Sequence, residues 1–309
     1  MALLVGSSKS MVELRGYIQK VARSDANVLI TGATGTGKER VAETIHFQSA
    51  RRNQPFVCVN CAAIPDSLIE SELFGFERGA FTGAQQGYPG KLRLANKGTV
   101  FLDEIGDMSL AAQAKVLRVI ENGELFPLGA RRVSKVDVRY VAAVNQDVEQ
   151  ILDEKKFRRD LYYRLNVARI RLLPLRERKE DIPELMMHYI DHFNRRFSSK
   201  VGEPTQELLE CLINYDWPGN IRELRNLVEA IFIDPPAGAV SPSELPESFR
   251  QIYAGYVESS VTERERLVSV LSQTRWNKTK AASQLNWSRM TLYRKLSKYQ
   301  IIGPAGSHR

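Results

Sequence analysis

Val28-Leu-Ile-Thr31-Gly32-Ala33-Thr34-Gly35-Thr36-Gly37-Lys38-Glu39 decides the fold. Four strand-forming residues run into a glycine-rich turn, and a helical pattern opens at Lys38. In that order, strand, glycine loop, helix, the spacing Gly-x-x-x-x-Gly-Lys is a phosphate-binding loop. Its glycines let backbone N–H groups turn toward phosphate oxygens at a helix N-terminus, and Lys38 adds a point charge for the β- and γ-phosphates. The generic motif closes on a Ser or Thr that holds magnesium; Glu39 stands there instead, which shifts the metal toward another residue.

Working outward, apolar β-rich runs alternate with amphipathic helical ones. Val28–Thr31, Phe56–Val59, Thr99–Leu102 and Val136–Val144 read as strands, and Lys38–Ser49, Ser67–Phe74 and Leu110–Asn122 as helices. The alternation predicts an α/β domain with a parallel sheet covered by helices, and short β pairs flanking its loops. Thr99-Val-Phe-Leu ends on Asp103-Glu104, placing two carboxylates beside the phosphate loop. There Asp103 suits magnesium and Glu104 suits orienting and activating a water. After Leu173-Pro-Leu the pattern turns helical, with Asp181–Ser198, Thr205–Tyr215 and Asn220–Phe232 forming a small lid. Asp234-Pro-Pro-Ala-Gly breaks it, and residues to Val261 read as a linker with short helical pieces.

The net charge of +8 is unevenly placed. Residues 262–309 hold ten Lys/Arg (Arg264, Arg266, Arg275, Lys278, Lys280, Arg289, Arg294, Lys295, Lys298, Arg309) against Glu263 and Glu265, so they carry the whole excess and the rest balances. A polyanionic partner is expected for that module alone. Within it, Thr279–Leu285 reads as a short helix, Asn286 as a left-handed turn, and Ser288 as the cap of a second helix, Arg289–Lys298. Leu292 and Leu296 face inward, leaving Arg289, Arg294, Lys295 and Lys298 exposed. This all-α helix-turn-helix predicts base contacts from Arg289, Met290 and Thr291, and phosphate contacts from Lys280, Arg294, Lys295 and Lys298 near the Ser288 cap. Gly303–Arg309 reads as a flexible end.

Three cysteines, Cys58, Cys61 and Cys211, are too few for a disulfide framework and suit a reducing compartment. Cys58-Val-Asn-Cys61 could pair on a metal, but zinc needs a second pair, and the run Phe56-Val-Cys-Val reads as a buried strand. No stretch approaches a membrane span, so a cytoplasmic protein is expected.

Between the two nucleotide motifs lies Glu77-Arg78-Gly79-Ala80-Phe81-Thr82-Gly83-Ala84, with further glycines at 75, 87 and 90, a segment able to move while strands around it stay fixed. Phe81 and Thr82 at its centre suit an exposed protein contact. Gly79-Ala80-Phe81-Thr82-Gly83-Ala84 resembles the signature of sigma-54-dependent transcriptional activators, bacterial AAA+ ATPases in which that loop touches sigma-54. The helix-turn-helix resembles the Fis-type module of the same family, so the likeness covers nearly the whole chain.

The resemblance implies an AAA+ P-loop core over residues 1–173, a helical lid over 174–233, a linker over 234–261 and a DNA-binding module over 262–309. It implies ATP and Mg²⁺ as ligands, Asn60 as a polar partner of the catalytic Glu104, and Asn145 as the γ-phosphate sensor. Arg158 and Arg164, in Phe157-Arg-Arg-Asp-Leu-Tyr-Tyr-Arg164, correspond to arginine fingers, with local ion pairs to Asp160 as the alternative. Arg222, in Trp217-Pro-Gly-Asn-Ile-Arg222, corresponds to a second sensor. Fingers acting across subunits require a ring, a hexamer in this family, with a dimer conceivable at rest. Ala33, where the family has Glu, and Val144, where it has Thr, depart from the pattern without an evident reason.

The expected function is a sigma-54 activator that binds upstream DNA and couples ATP hydrolysis to remodelling of the closed sigma-54 RNA polymerase complex. A DNA-binding repressor with a vestigial ATPase, or a remodeller of another protein, are the rival classes. Intact Lys38, Asp103, Glu104 and loop speak against the first, the helix-turn-helix against the second. With the phosphate loop about thirty residues from Met1, no receiver or sensory domain is expected ahead of it, so control falls to a separate regulatory protein, to expression, or to a domain missing from this sequence.

Overall fold

A computed structural model describes residues 4–274 and 276–301, with the backbone alone for Ser248 and residues 258–262. Arg275, Arg309 and the expected flexible end at 303–309 lie outside the described residues. Five parallel strands, β1 Val28–Thr31, β2 Phe56–Asn60, β3 Thr99–Asp103, β6 Arg139–Val144 and β7 Ala168–Arg171, form one sheet in the order β2-β3-β6-β1-β7. A two-stranded antiparallel hairpin, β4 Glu124–Leu125 with β5 Ser134–Lys135, stands apart. Helices α1 Lys9–Ala22, α2 Lys38–Phe47, α3 Asp66–Phe74, α4 Lys91–Leu94, α5 Leu110–Asn122, α6 Val148–Asp153 and α7 Arg159–Leu165 complete the domain.

Strand side chains alternate between two cores, one on each face of the sheet. Leu29, Val100, Leu102, Ala142 and Val144 face the core shared with α3, α5 and α7. Val28, Ile30, Phe101, Val141 and Ala143 face the core shared with α1 and α2. Val144, the unexplained departure, is a buried member of the first core. In-register pairing sets Asn60 beside Asp103, and Thr31 beside both Val144 and Arg171, so the strand ends that carry polar side chains share one edge of the sheet.

Besides the short helices α4, α6 and α7, the elements not among those expected in this domain are α1 and β7. Helix α1 is announced by the Ser8 cap with Met11, Ile18 and Val21 buried at helical spacing, and β7 by the alternation Ala168-Arg-Ile-Arg171, buried and exposed in turn. Cys58, expected in a buried strand, is exposed because β2 is the sheet's edge; Cys61 and Cys211 are buried. Partial desolvation of the exposed residue's thiol, with Glu39, Glu43 and Asp103 nearby, still pushes Cys58 up to about 11, which leaves it a poor nucleophile. Among the described residues no group of three or more His, Cys, Asp and Glu is arranged to hold a metal ion, and no helix is long and apolar enough to cross a membrane.

The lid consists of α8 Ile182–Phe197, α9 Gln206–Asn214 and α10 Asn220–Ile231 around the fully buried Trp217, whose Nε1 donates to the Leu212 carbonyl at 2.8 Å. Residues 240–309 form a second compact unit. It contains α11 Glu247–Gln273, α12 Lys278–Gln284 and α13 Arg289–Lys298, packed through Leu267, Leu271, Ala281, Leu285, Leu292 and Leu296. The stretch from Glu247 to Val261, read as linker, is the first half of the 27-residue helix α11. Gly255 within it costs about 1 kcal/mol of helix propensity and weakens the signal.

Candidate functional site: the phosphate loop, its carboxylates and the exposed arms

The loop Gly32–Gly37 opens α2, whose N-cap Gly37 takes φ 101°, and Lys38 is buried behind it. Lys38 Nζ lies 3.2 Å from Glu104 Oε1 and donates to the Gly32 carbonyl at 3.0 Å. Glu104 itself holds a left-handed conformation at φ 54°, a strained position for a side-chain-bearing residue and one that turns its carboxylate back over the sheet edge. The Asn145 backbone N–H also donates to that carboxylate. Burial raises the pKa of both Asp103 and Glu104 above the ordinary carboxylate value, opposed chiefly by Lys38. Asp103 Oδ1 is buried and has no hydrogen-bond partner among the described residues.

Helix α10 of the lid docks directly on the loop. Asn220, at φ 51°, donates its side-chain amide to the Thr34 carbonyl at 2.9 Å and accepts from the Leu175 N–H at 2.8 Å, while Ile221 N–H donates to Gly35 O at 3.0 Å. Gly35 is needed there, since at φ 79° a Cβ would overlap the Gly219 carbonyl and press on Arg222. Arg222 is exposed in the first turn of α10 and close enough to Asp103 for its charge to pull the Asp103 pKa down, against the larger effect of burial. A cavity of 540 Å³ extends from Thr36 and Gly37 between α1, α2 and the lid, walled by Val5, Leu14, His188, Tyr189 and Ile221. None of those wall residues carried a sequence signal, because each reads locally as ordinary core or helix surface. Ala33 and Thr34 are exposed, as is Glu39 on α2.

Other expected site residues are placed less directly. The Asn60 side chain caps a short turn, accepting from Ala63 N–H at 3.2 Å, and Glu104 is engaged by Lys38 instead. Arg158 makes the local alternative, a two-point pair with Asp160 at 3.1 and 2.7 Å. Arg159 reaches Asp153 at 3.6 Å. The Arg164 side chain is exposed on α7 beside Tyr163, with no ion pair among the described residues.

The Gly75–Gly90 segment is pinned at its base and free at its tip. A Cβ at Gly75 or Gly90 would overlap neighbouring backbone, whereas Gly79 and Gly83 have open space. Phe76 bridges both Tyr88 and Leu128, tying the loop to the β4–β5 hairpin. Phe81 packs its ring 4.9 Å from Phe76 yet stays 48% exposed, with Thr82 exposed beside it and Ala84 buried.

In the second unit, Asn286 has the expected left-handed φ of 55°, and the Ser288 hydroxyl accepts from Thr291 N–H at 3.0 Å. Arg289, Met290, Arg294, Lys298 and Lys280 are exposed. Lys295 departs from expectation: its Nζ is held by both Glu263 oxygens at 2.8 and 2.7 Å, so it stabilises α13 against α11.

The phosphate loop, lid contact, exposed aromatic loop and helix-turn-helix are matched in sequence by three family models. These are the sigma-54 interaction domain over residues 4–171, the AAA+ ATPase lid domain over 176–260 and the bacterial regulatory protein Fis family over 260–299. ZraR, a transcriptional regulatory protein of Salmonella typhimurium, is 44% identical over 301 residues, covering 96% of this chain and 68% of that protein. UacR of Escherichia coli, a putative uric acid sigma-54-dependent transcriptional regulator, is 43% identical over 321 residues, covering 97% of this chain but 54% of its own length. The chain thus spans about half to two thirds of these relatives. Among solved structures, NtrX from Brucella abortus in complex with ATP superposes with a TM-score of 0.77 at 34% identity, over 97% of this chain and 70% of that one. The chain belongs to the sigma-54-dependent transcriptional activators, with their AAA+ ATPase core, lid and Fis-type helix-turn-helix.

Proposed function

We propose that this chain hydrolyses ATP in a ring, a hexamer by analogy with its family, and uses the Phe81–Thr82 tip to remodel a sigma-54 RNA polymerase closed complex while α13 holds upstream DNA. The observation that carries the reading is the exposed aromatic tip on a loop pinned at its base to the stretch around Leu128, in the same domain as the phosphate site. The backbone N–H groups of Gly35–Lys38 and the Lys38 ammonium take the phosphates, and the 540 Å³ cavity takes the base. Entry of the γ-phosphate competes with Glu104 for Lys38, and the freed carboxylate is then available to orient water. The open Asp103 oxygen fits a magnesium ion, which would hold few protein ligands and neutralise phosphate charge when bound. The test is open-complex formation on a sigma-54 promoter with ATP; wild-type protein that opens none would refute the reading.

Arg164, exposed and without an ion pair, is the better placed finger, since Arg158 must first leave Asp160. Arg164→Ala subunits are expected to lose about 10³-fold in turnover alone. Mixed with Lys38→Ala subunits, they should recover activity, because each then supplies what the other lacks. Turnover per subunit that is independent of protein concentration down to the monomer would exclude catalysis across the subunit boundary.

Operator binding is assigned to α13. A cut at residue 261 would sever α11, so a side-chain change is the cleaner probe. Arg289→Ala should weaken operator affinity roughly 10-fold or more and relax base preference at one position. Lys298→Ala should instead weaken all sequences alike and flatten the salt dependence. Equal behaviour of the two variants, measured by binding titrations at several salt concentrations, would undo the assignment.

A further inference from the structure

One wall of the cavity behind the phosphate loop is the terminal segment Leu4–Ser8, and a buried carboxylate holds that segment down. Asp181, the residue before α8, is fully buried. Its Oδ1 accepts from the Ser8 N–H at 2.7 Å and its Oδ2 from the Ser8 hydroxyl at 2.8 Å. Gly6 passes so close that a Cβ there would lie 2.8 Å from the Asp181 carboxyl carbon. One turn earlier, the buried Arg178 donates to the Thr36 carbonyl of the phosphate loop at 3.1 Å and to Met11 Sδ at 2.9 Å, and its Nε has no partner among the described residues. Arg178 supplies Asp181 with a nearby opposite charge.

Burying a carboxylate costs far more than an apolar staple at the same place, so packing alone does not account for Asp181. What its two bonds achieve is placement. Leu4 and Val5 line the cavity from the segment, Leu185 and His188 line it from the lid, and Asp181 joins the two walls. Asp181 itself makes no bond to the phosphate loop, Gly32 to Lys38, which the pair reaches only through the Arg178 bond to the Thr36 carbonyl. We propose that Asp181 is a positioning residue for the nucleotide base: it clamps the Leu4–Ser8 segment to the lid so that both walls close on the base together, while the phosphates are held independently. This rests on the ATP reading given above.

The test compares ATP with inorganic tripolyphosphate, which has phosphates but no base, on the full chain with magnesium. Asp181→Asn keeps the shape and removes the charge, and should raise the Kd for ATP roughly tenfold. Ser8→Ala, a milder change that decides the matter if the first variant folds poorly, should raise it severalfold. Tripolyphosphate affinity should stay unchanged in both variants, and turnover at saturating ATP should persist while KM rises. Equal weakening toward both ligands, as a general loosening would give, or no weakening toward either, would overturn the clamp. Wild-type protein that binds tripolyphosphate as tightly as ATP would also overturn it, and wild-type protein that binds neither would bring down the nucleotide reading itself.

Discussion

Lys38→Ala is expected to abolish nucleotide binding, raising Kd by about 10²-fold or more, whereas Glu104→Gln binds ATP normally and turns over about 10²–10⁴-fold more slowly. The two residues touch, 3.2 Å apart, so the contrast rests on what each meets once ATP arrives. Lys38 exchanges one buried carboxylate for phosphate oxygens and keeps a charged partner throughout. Glu104 loses its cation, remains largely buried, and faces water instead of phosphate. Lys38→Ala should also lower thermal stability, because Glu104 is left buried without a counter-charge. Affinity and turnover must be measured separately, by equilibrium titration and by phosphate release. A comparable loss of affinity in both variants would show that Glu104 serves binding rather than hydrolysis.

Thr82→Ala is expected to leave ATP hydrolysis within about twofold of wild type and to cut promoter opening roughly 30-fold or more, the scale of a central contact residue. Thr82 is exposed on a tip whose anchors lie at Gly75 and Gly90, so its hydroxyl supports nothing within the domain. Phe81→Ala should behave likewise but also gives up a ring contact with Phe76, which makes Thr82→Ala the cleaner variant. The decisive readout is capture of sigma-54 by protein held with a transition-state mimic of ATP. Variants that capture sigma-54 and open promoters as well as wild type would place the contact elsewhere on the surface.

Features written in consecutive residues were legible from the sequence; features made by distant partners were not. The phosphate loop, the strand ending on Asp103-Glu104 and the Ser288-capped α13 each carry their signal within a dozen residues, and the structure has them where expected. Cys58 looked buried because its neighbours are apolar, but only the strand order reveals that β2 is an edge. Lys295 looked like a free surface cation until Glu263, 32 residues earlier, came into range. Asp181 stood only as the start of a lid helix and Arg178 carried no reading, since nothing near them in sequence says that Ser8 and Thr36 will meet them. Asn60 is the reverse case, a residue whose local turn-capping tendency prevails over its expected long-range partner.

The single amide of Asn220 gives the lid a pivot. It holds the Thr34 carbonyl at the very start of α10, next to the Ile221 N–H bond to Gly35, so these contacts of the 12-residue helix with the phosphate loop lie in its first turn. Such a helix is roughly 18 Å long, and tilting it by about 10° carries its far end about 3 Å. A small rearrangement around the phosphates would thereby be enlarged along the helix, with Ile231 travelling furthest of its residues.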